Sequence, residues 1–398
     1  MQQKLSSVLV LATFFLIGLV QGIGFSTIPA ASNFLTSPSG FSFNSEHYGA
    51  LFLPMFIGAI FASFFGGSIA KKIGIKSVFS LGQLFNIFSM LIFTCASFYS
   101  KEISISFPLF LVLMLCIGLG FGAALTSLNS FAFFFFPKRG KTALTALHSC
   151  LGIGTAIGPL LFAYFLKQGT WWYAPIWIGT LYFLLLLAAI AGFPNPHQLT
   201  AEKKANAKRV PFTSLILWGF IAIALLYGIC ETTFGNWGPI FLHQGKNLMP
   251  ASADIALSLF WGVITLGRIA TVLLSFRVPA RYLYCSLPPI IFIGLILLYP
   301  SMSESWLLLS FAVAGLGCSA MLPLTIGFAQ ERFSSIAPLI SGIMIGTYML
   351  GFGLASQGIG LIYKFLHIPF STLFASLSGP VILLFVLCLA VTKQKKVY

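Results

Sequence analysis

The sequence predicts an all-α membrane protein with twelve transmembrane helices in two pseudo-symmetric six-helix halves. Three observations lead to this fold class: 58% of the 398 residues are hydrophobic and 7% are charged, apolar stretches of about 20 residues recur along the chain, and one polar stretch divides them evenly. A soluble domain carries roughly 25% charged residues, so a soluble enzyme is excluded. Strands of an outer-membrane barrel alternate in polarity over about 10 residues, whereas residues 181–191 are apolar throughout, so each span is predicted to be a helix.

Turn residues and charges separate twelve candidate spans. The first six cover approximately 5–30, 48–70, 77–99, 107–136, 142–166 and 171–193, and the last six cover approximately 213–242, 252–275, 282–300, 305–329, 335–364 and 368–391. The expected domains are an N-terminal bundle at 1–193, a cytoplasmic linker at 194–212 and a C-terminal bundle at 213–398. The first span exceeds the 7–15-residue core of a signal peptide, so we expect it to be retained.

The lysine and arginine residues predict the orientation, because such residues accumulate in cytoplasmic loops. With a cytoplasmic N-terminus, seventeen basic residues fall on the cytoplasmic side and four on the opposite side, while Arg268 lies within a span. Both termini are therefore predicted to be cytoplasmic, and the short loops indicate a bacterial inner membrane. The net charge of +15 is scattered rather than gathered on one surface, so nucleic-acid binding is not expected.

The loop after the second span carries a recognisable pattern, Gly67-Ser-Ile-Ala-Lys71-Lys72-Ile-Gly74-Ile-Lys76. It resembles the G-x-L-x-D-R-x-G-R-K motif of the major facilitator superfamily. Lys72 and Gly74 match the motif, whereas Lys71 replaces its acid. The resemblance implies a transporter and gives Lys72 and Gly74 gating or structural roles.

Further motifs resemble the fucose/galactose/glucose symporter branch of that superfamily and its uncharacterised relatives. They are Gly118, Gly120, Gly122 and Asn129; Phe136-Pro137 with Arg139-Gly140, Leu147-His148 and Gly158-Pro159; and Tyr227-Gly228, Glu231 and Gly235-Asn236-Trp237. The resemblance implies a sugar-like solute carried together with protons. Leu125 stands where that branch typically has an acid, so the proton carrier expected in the N-terminal half is missing.

Glu231 is the only acid well inside a predicted span, about 28 Å from the cytoplasmic end at 1.5 Å per residue. Placing an ionisable side chain at such a depth costs several kcal/mol of free energy, so we expect Glu231 to have a functional or structural role. It either binds a proton or cation, or hydrogen-bonds solute hydroxyls, or it fixes the packing of span seven. Arg268 is expected near the cytoplasmic end of span eight, without direct contact to Glu231, in a structural or gating role or, alternatively, as a group that attracts an anion.

Polar residues within the spans supply the remaining site candidates. Candidate solute ligands are Gln21, Asn129, His148, Asn236, Trp237 and Gln357, and Gly158 and Pro159 join the gating or structural group. Trp237 either stacks on a sugar ring or belongs to the interfacial aromatic belt. For the polar residues the alternative role is an interhelical hydrogen bond, worth roughly 0.6 kcal/mol.

The predicted function is secondary active or facilitative transport of a small, polar, sugar-like solute by alternating access. Proton coupling through Glu231 is one option within it. The alternatives are an exporter or importer of a larger amphipathic compound, such as a drug or siderophore, and a non-transporting receptor on the same fold.

The sequence shows no nucleotide motif, carboxylate pair or metal-ligand spacing, so we expect no enzyme activity and no cofactor. The expected partners are the solute, the lipid bilayer and, with coupling, protons, and we expect a monomer.

Overall fold

The computed structural model describes residues 2–31, 34–35, 37–43, 45–194, 212–299 and 303–393. These residues form helices and connecting turns without any strand, and twelve of the segments are long and apolar enough to cross a membrane. The predicted fold class and the count of twelve are therefore confirmed. Most of the predicted linker, including Lys203 and Lys208, lies outside the described residues, as do Lys395 and Lys396.

The twelve spans are numbered in chain order. Spans 1 to 6 are Gln2–Ala30, Ser45–Ile73, Ile75–Ala96, Ile103–Phe135, Gly140–Lys167 and Tyr173–Gly192; spans 7 to 12 are Leu215–Ile240, Pro250–Leu274, Ala280–Leu297, Glu304–Cys318 with Met321–Arg332, Ala337–Leu366, and Phe370–Ser376 with Ser378–Lys393. Gly74 alone separates spans 2 and 3 at a φ of 90°. A positive φ is strained for most other residues, which explains a glycine at this sharp turn.

The chain folds into two compact units. Unit 1 comprises Met1–Lys138, Cys150–Ala207 and Ile336–Gly346, and unit 2 comprises Arg139–Ser149, Lys208–Ser335 and Thr347–Tyr398. The first part of span 5 therefore belongs to unit 2, whereas the first part of span 11 belongs to unit 1.

In unit 1, span 4 packs closely against spans 2 and 3. A Cβ atom added at Gly122 would lie 2.6 Å from the Ala59 carbonyl oxygen of span 2, and one added at Gly82 would lie 2.7 Å from the Ala124 nitrogen of span 4. Small residues at such crossings let helix backbones approach each other, which stabilises helix pairs in lipid.

In unit 2, span 10 is a broken helix that packs against spans 8 and 9. Its first helix ends at Cys318 and its second begins at Met321. Pro323 lies in the first turn of the second helix and has no N–H to donate to the carbonyl four residues earlier, which here is the carbonyl of Ser319. The break leaves backbone carbonyls available to side chains from neighbouring spans.

Candidate functional site

Glu231 and Tyr348 form the centre of a buried polar site in unit 2. Glu231 is 4% exposed, and the Tyr348 hydroxyl of span 11 donates a hydrogen bond to its Oε1 at 3.0 Å. Among the side chains that the structure describes, Glu231 is the only buried carboxylate. The hydroxyl can donate to either the anion or the neutral acid, so this pair suits a carboxyl group that changes its protonation state.

Glycines bring spans 7 and 11 close enough for this hydrogen bond. A Cβ atom at Gly228 would collide with the Tyr348 carbonyl oxygen and lie 3.0 Å from the Phe352 nitrogen, and one at Gly351 would collide with the Leu225 carbonyl oxygen. The two backbones therefore touch one turn away from Glu231. The Tyr227 ring stacks on the Tyr348 ring with centroids 5.7 Å apart, which fixes the direction of the donating hydroxyl.

The break in span 10 forms the other side of the site. The Tyr227 hydroxyl donates to the Cys318 carbonyl oxygen at 2.9 Å, and Nε of Arg268 donates to the Ser319 carbonyl oxygen, also at 2.9 Å. Gly267 permits this approach, because a Cβ atom there would lie 2.6 Å from Cβ of Ser319. Spans 7 and 8 thus satisfy carbonyls of the broken helix, which would otherwise be costly in an apolar interior.

Arg268 also holds the first part of span 5. It is 8% exposed, and its Nη1 donates to the His148 carbonyl oxygen at 3.2 Å. The described residues contain no direct ion pair between Arg268 and Glu231. Arg268 is therefore one guanidinium shared between the first part of span 5 and the break in span 10.

Two further contacts within unit 2 reach the same part of span 5. Nζ of Lys141 pairs with Glu331 of span 10 at 2.8 Å, and the hydroxyls of Thr142 and Ser275 share a hydrogen bond of 2.9 Å. His148 itself is buried, with an exposed fraction of 3%. Its predicted role as a solute ligand therefore stays a hypothesis, while its backbone is engaged by Arg268.

The candidates at the other end of span 7 lie against span 11. Nδ2 of Asn236 donates to the Ser356 hydroxyl at 2.8 Å, and Nε1 of Trp237 donates to the Ala355 carbonyl oxygen at 3.2 Å. Gln357 is exposed on the same stretch of span 11. The structure thus brings these three candidates to one region, in which Asn236 and Trp237 lie about one and a half turns from Glu231 along span 7.

Two of the predicted solute ligands, Gln21 and Asn129, belong to unit 1. Gln21 is 1% exposed, and its Oε1 accepts a hydrogen bond of 2.8 Å from Nδ2 of Asn86 in span 3. Asn129 is fully buried in span 4. The contact between Gln21 and Asn86 is the interhelical alternative to a solute ligand, and it favours a structural role for Gln21.

The predicted gating or structural residues occupy helix contacts and a turn. A Cβ atom at Gly158 would lie 2.8 Å from the Ile23 carbonyl oxygen, so this glycine permits close packing of spans 1 and 5. Pro159 next to it is exposed within an unbroken helix. Lys72 is exposed beside Gly74, which forms the turn between spans 2 and 3.

Sequence reasoning missed Tyr348 and Ser319 as members of the site and included Tyr227 only as part of a motif. Nothing local to Tyr348 indicates a partner 117 positions earlier. The proline of Leu322-Pro323 was an available signal for the break in span 10, since it removes a helical donor.

Comparisons with known proteins agree with this architecture. A sequence profile of the Major Facilitator Superfamily matches residues 9–356, whereas no curated protein gives a significant sequence match. Among solved structures, the fucose:proton symporter FucP from E. coli, a single-site variant, is 13% identical with a TM-score of 0.75 and 98% coverage of both chains.

Two other solved structures are similar to the same extent. The proton:xylose symporter XylE is 14% identical with a TM-score of 0.76, covering 96% of this chain and 95% of that one. A bacterial homologue of the iron transporter ferroportin is 12% identical with a TM-score of 0.77, covering 96% and 99%. Identities this low show a shared fold and leave the solute undetermined. The family profile spans most of the residues, and with the twelve membrane-spanning helices it shows that this chain belongs to the Major Facilitator Superfamily.

Proposed function

We propose that this transporter carries a small, polar, sugar-like solute together with protons, and that Glu231 is the coupling group. The observation that carries the proposal is the hydrogen bond between Tyr348 and Glu231, 3.0 Å long and buried between two spans. An ionisable residue inside a membrane span is a candidate functional site by default, because its cost must be offset by a role. Tyr348 gives this carboxyl group a partner in both protonation states.

Charge compensation links the protonation of Glu231 to conformational change. A charged carboxylate is costly in an apolar interior unless it is paired, and the fixed groups near Glu231 are Tyr348, Tyr227 and Arg268. When Glu231 takes up a proton, Arg268 loses an attracting charge while it still holds the carbonyls of Ser319 and His148. The charge on Glu231 therefore acts on the residue that binds both the first part of span 5 and the break in span 10.

Two observations support a sugar-like solute. Two of the similar structures are symporters of a sugar with protons, and the motifs in spans 4, 5 and 7 resemble the same branch. The candidates Asn236, Trp237 and Gln357 offer amide groups and one aromatic face. These groups suit a hydroxyl-rich, uncharged solute, since binding pockets combine aromatic contact with a few placed polar groups.

A bacterial inner membrane with cytoplasmic termini is part of the proposal. The cytoplasmic termini are supported by the distribution of basic residues, seventeen against four, and the bacterial inner membrane is supported by the short loops. Reporters fused after Lys396 and within 203–208 should both report the cytoplasm. A periplasmic signal from either fusion would overturn the proposed orientation.

A ligand screen followed by transport assays tests the solute class. Purified protein is heated with sugars, amino acids, drugs and siderophores, because a bound ligand raises the unfolding temperature. The stabilising compounds are then offered to proteoliposomes with and without an imposed pH gradient. We expect uptake of a sugar or a related compound that depends on the gradient. Uptake of an amphipathic drug or siderophore alone would favour the exporter or importer alternative, and binding without any transport would favour a receptor.

A further inference from the structure

A cleft of about 510 Å³ opens on unit 1 where spans 2, 3 and 6 meet. Its wall combines the ammonium group of Lys76 with the hydroxyls of Ser77 and Ser80, and with apolar side chains. We propose that this cleft binds the headgroup of an anionic phospholipid. The site is independent of the solute that the protein carries.

Lys76 supplies the charge at a fixed position. Its Nζ donates to the carbonyl oxygens of Ile190 and Phe193, each at 2.7 Å, at the end of span 6. The last carbonyls of a helix have no intrahelical partner, and a cation is favourable there. An ammonium group has three N–H donors, so one remains for a ligand after both carbonyls are satisfied.

The first two turns of span 3 add further donors. The half-buried hydroxyls of Ser77 and Ser80 make no hydrogen bond to the described part of the chain. Span 3 begins after Gly74, which has no side chain to cap the first N–H groups, and the positive end of a helix dipole attracts anions. Lys71 and Lys72 lie exposed just before this turn. Residues 71–80 contain no acid, so the cleft complements a negative ligand.

The apolar part of the cleft favours a lipid over a soluble anion. Leu81 and Leu84 are 44% and 51% exposed, and Ile190 is 49% exposed on span 6. The apolar face continues along span 3 through Phe88 and Leu91, which are also more than half exposed. A phospholipid would place its phosphate at Lys76 and an acyl chain along this face, whereas inorganic phosphate gains nothing from it. Basic pockets at the ends of membrane helices recognise anionic headgroups in this way.

Native mass spectrometry of the purified protein in detergent tests the proposal with phosphatidylglycerol and phosphatidylcholine as probes. We expect the wild-type protein to retain phosphatidylglycerol in preference to phosphatidylcholine. Lys76→Gln should weaken phosphatidylglycerol binding roughly fivefold, the typical effect of one basic residue near an anionic lipid. Leu84→Trp should also weaken it, because the larger side chain fills the apolar part of the cleft. Lys138→Gln is the matched control, since Lys138 is exposed and does not line the cleft.

A second variant keeps the test decisive if Lys76→Gln does not fold, because Lys76 also holds the end of span 6. The double substitution Ser77→Ala with Ser80→Ala leaves that contact intact and should still reduce phosphatidylglycerol binding. Equal retention of both lipids by the wild-type protein would overturn the proposal, as would unchanged binding in these variants. Thermal stabilisation by inorganic phosphate equal to that by phosphatidylglycerol would show a simple anion site instead of a lipid site.

Discussion

Arg268 donates to the Ser319 carbonyl oxygen at 2.9 Å, in the place of the backbone N–H that Pro323 lacks. A side chain from span 8 thereby completes the hydrogen bonding of a break in span 10. The same guanidinium binds the His148 carbonyl oxygen at 3.2 Å. The hydrogen bonding at the break in span 10 and the contact with the first part of span 5 therefore both depend on Arg268.

This relationship predicts that Arg268 and Pro323 are energetically coupled. Arg268→Met should lower the free energy of unfolding by about 2 kcal/mol, because two buried carbonyls lose a charged donor. Pro323→Ala restores a backbone N–H that can reach the Ser319 carbonyl oxygen, so the cost of Arg268→Met should be smaller in that background. A coupling energy of about 1 kcal/mol is expected for residues that share one partner. Unfolding of the four proteins in detergent measures it, and strictly additive effects would contradict the shared role.

The close crossing of spans 7 and 11 predicts that one added methyl group strongly affects both stability and transport. Gly228→Ala places a Cβ atom against the Tyr348 carbonyl oxygen, so the helices must separate and the contact between Tyr348 and Glu231 must weaken. Overpacking of this kind costs about 1–3 kcal/mol, and we expect a lower unfolding temperature together with slower transport.

Gly353→Ala is the control for that substitution. Gly353 lies in span 11, and a Cβ atom there would meet nothing within 4 Å. Alanine is also the better helix former by roughly 1 kcal/mol, so this variant should be as stable as the parent or more stable. If the two variants behaved alike, close packing at Gly228 would not be what positions Tyr348.

Gln21 gives a prediction that separates solute binding from helix packing. Gln21→Leu leaves Nδ2 of Asn86 without its acceptor, which should cost about 0.6 to 1.7 kcal/mol in a membrane protein. We expect a lower unfolding temperature and an unchanged apparent KM for the solute. A raised KM with unchanged stability would instead place Gln21 in the solute site.

The large-scale fold was predictable because its signal is local. Each apolar run identifies a helix without reference to any other part of the chain, so all twelve spans were found. Glu231 was found for the same reason, since an acid in an apolar run is visible in the sequence alone. Tyr348 was not, because its role depends on the close crossing of spans 7 and 11, which is a property of the folded chain.

The break in span 10 shows a second limit of sequence reasoning. Pro323 follows the break, but Pro159, Pro288 and Pro289 lie inside unbroken helices. Proline removes one donor in every case, so a proline in the sequence does not distinguish a broken span from an unbroken one, and at the break the freed carbonyl is satisfied by a neighbouring side chain. At Ser319 that neighbour is Arg268, and only the packing of spans 8 and 10 brings it there.

The most direct test of the central claim compares uphill accumulation with exchange in Glu231→Gln. Glutamine keeps the shape of the side chain and an acceptor for the Tyr348 hydroxyl, but it cannot release a proton. The matched control is Glu304→Gln, which makes the same chemical change at an exposed position. Both variants are reconstituted into proteoliposomes with the solute found by the screen.

Counterflow exchange reports solute binding and conformational change, while accumulation under an imposed pH gradient reports coupling. We predict that Glu231→Gln retains exchange but loses accumulation against the solute gradient, and that Glu304→Gln retains both. A Glu231→Gln protein that accumulates solute to the level of the parent would contradict the coupling role and leave Glu231 as a residue that fixes the packing of spans 7 and 11.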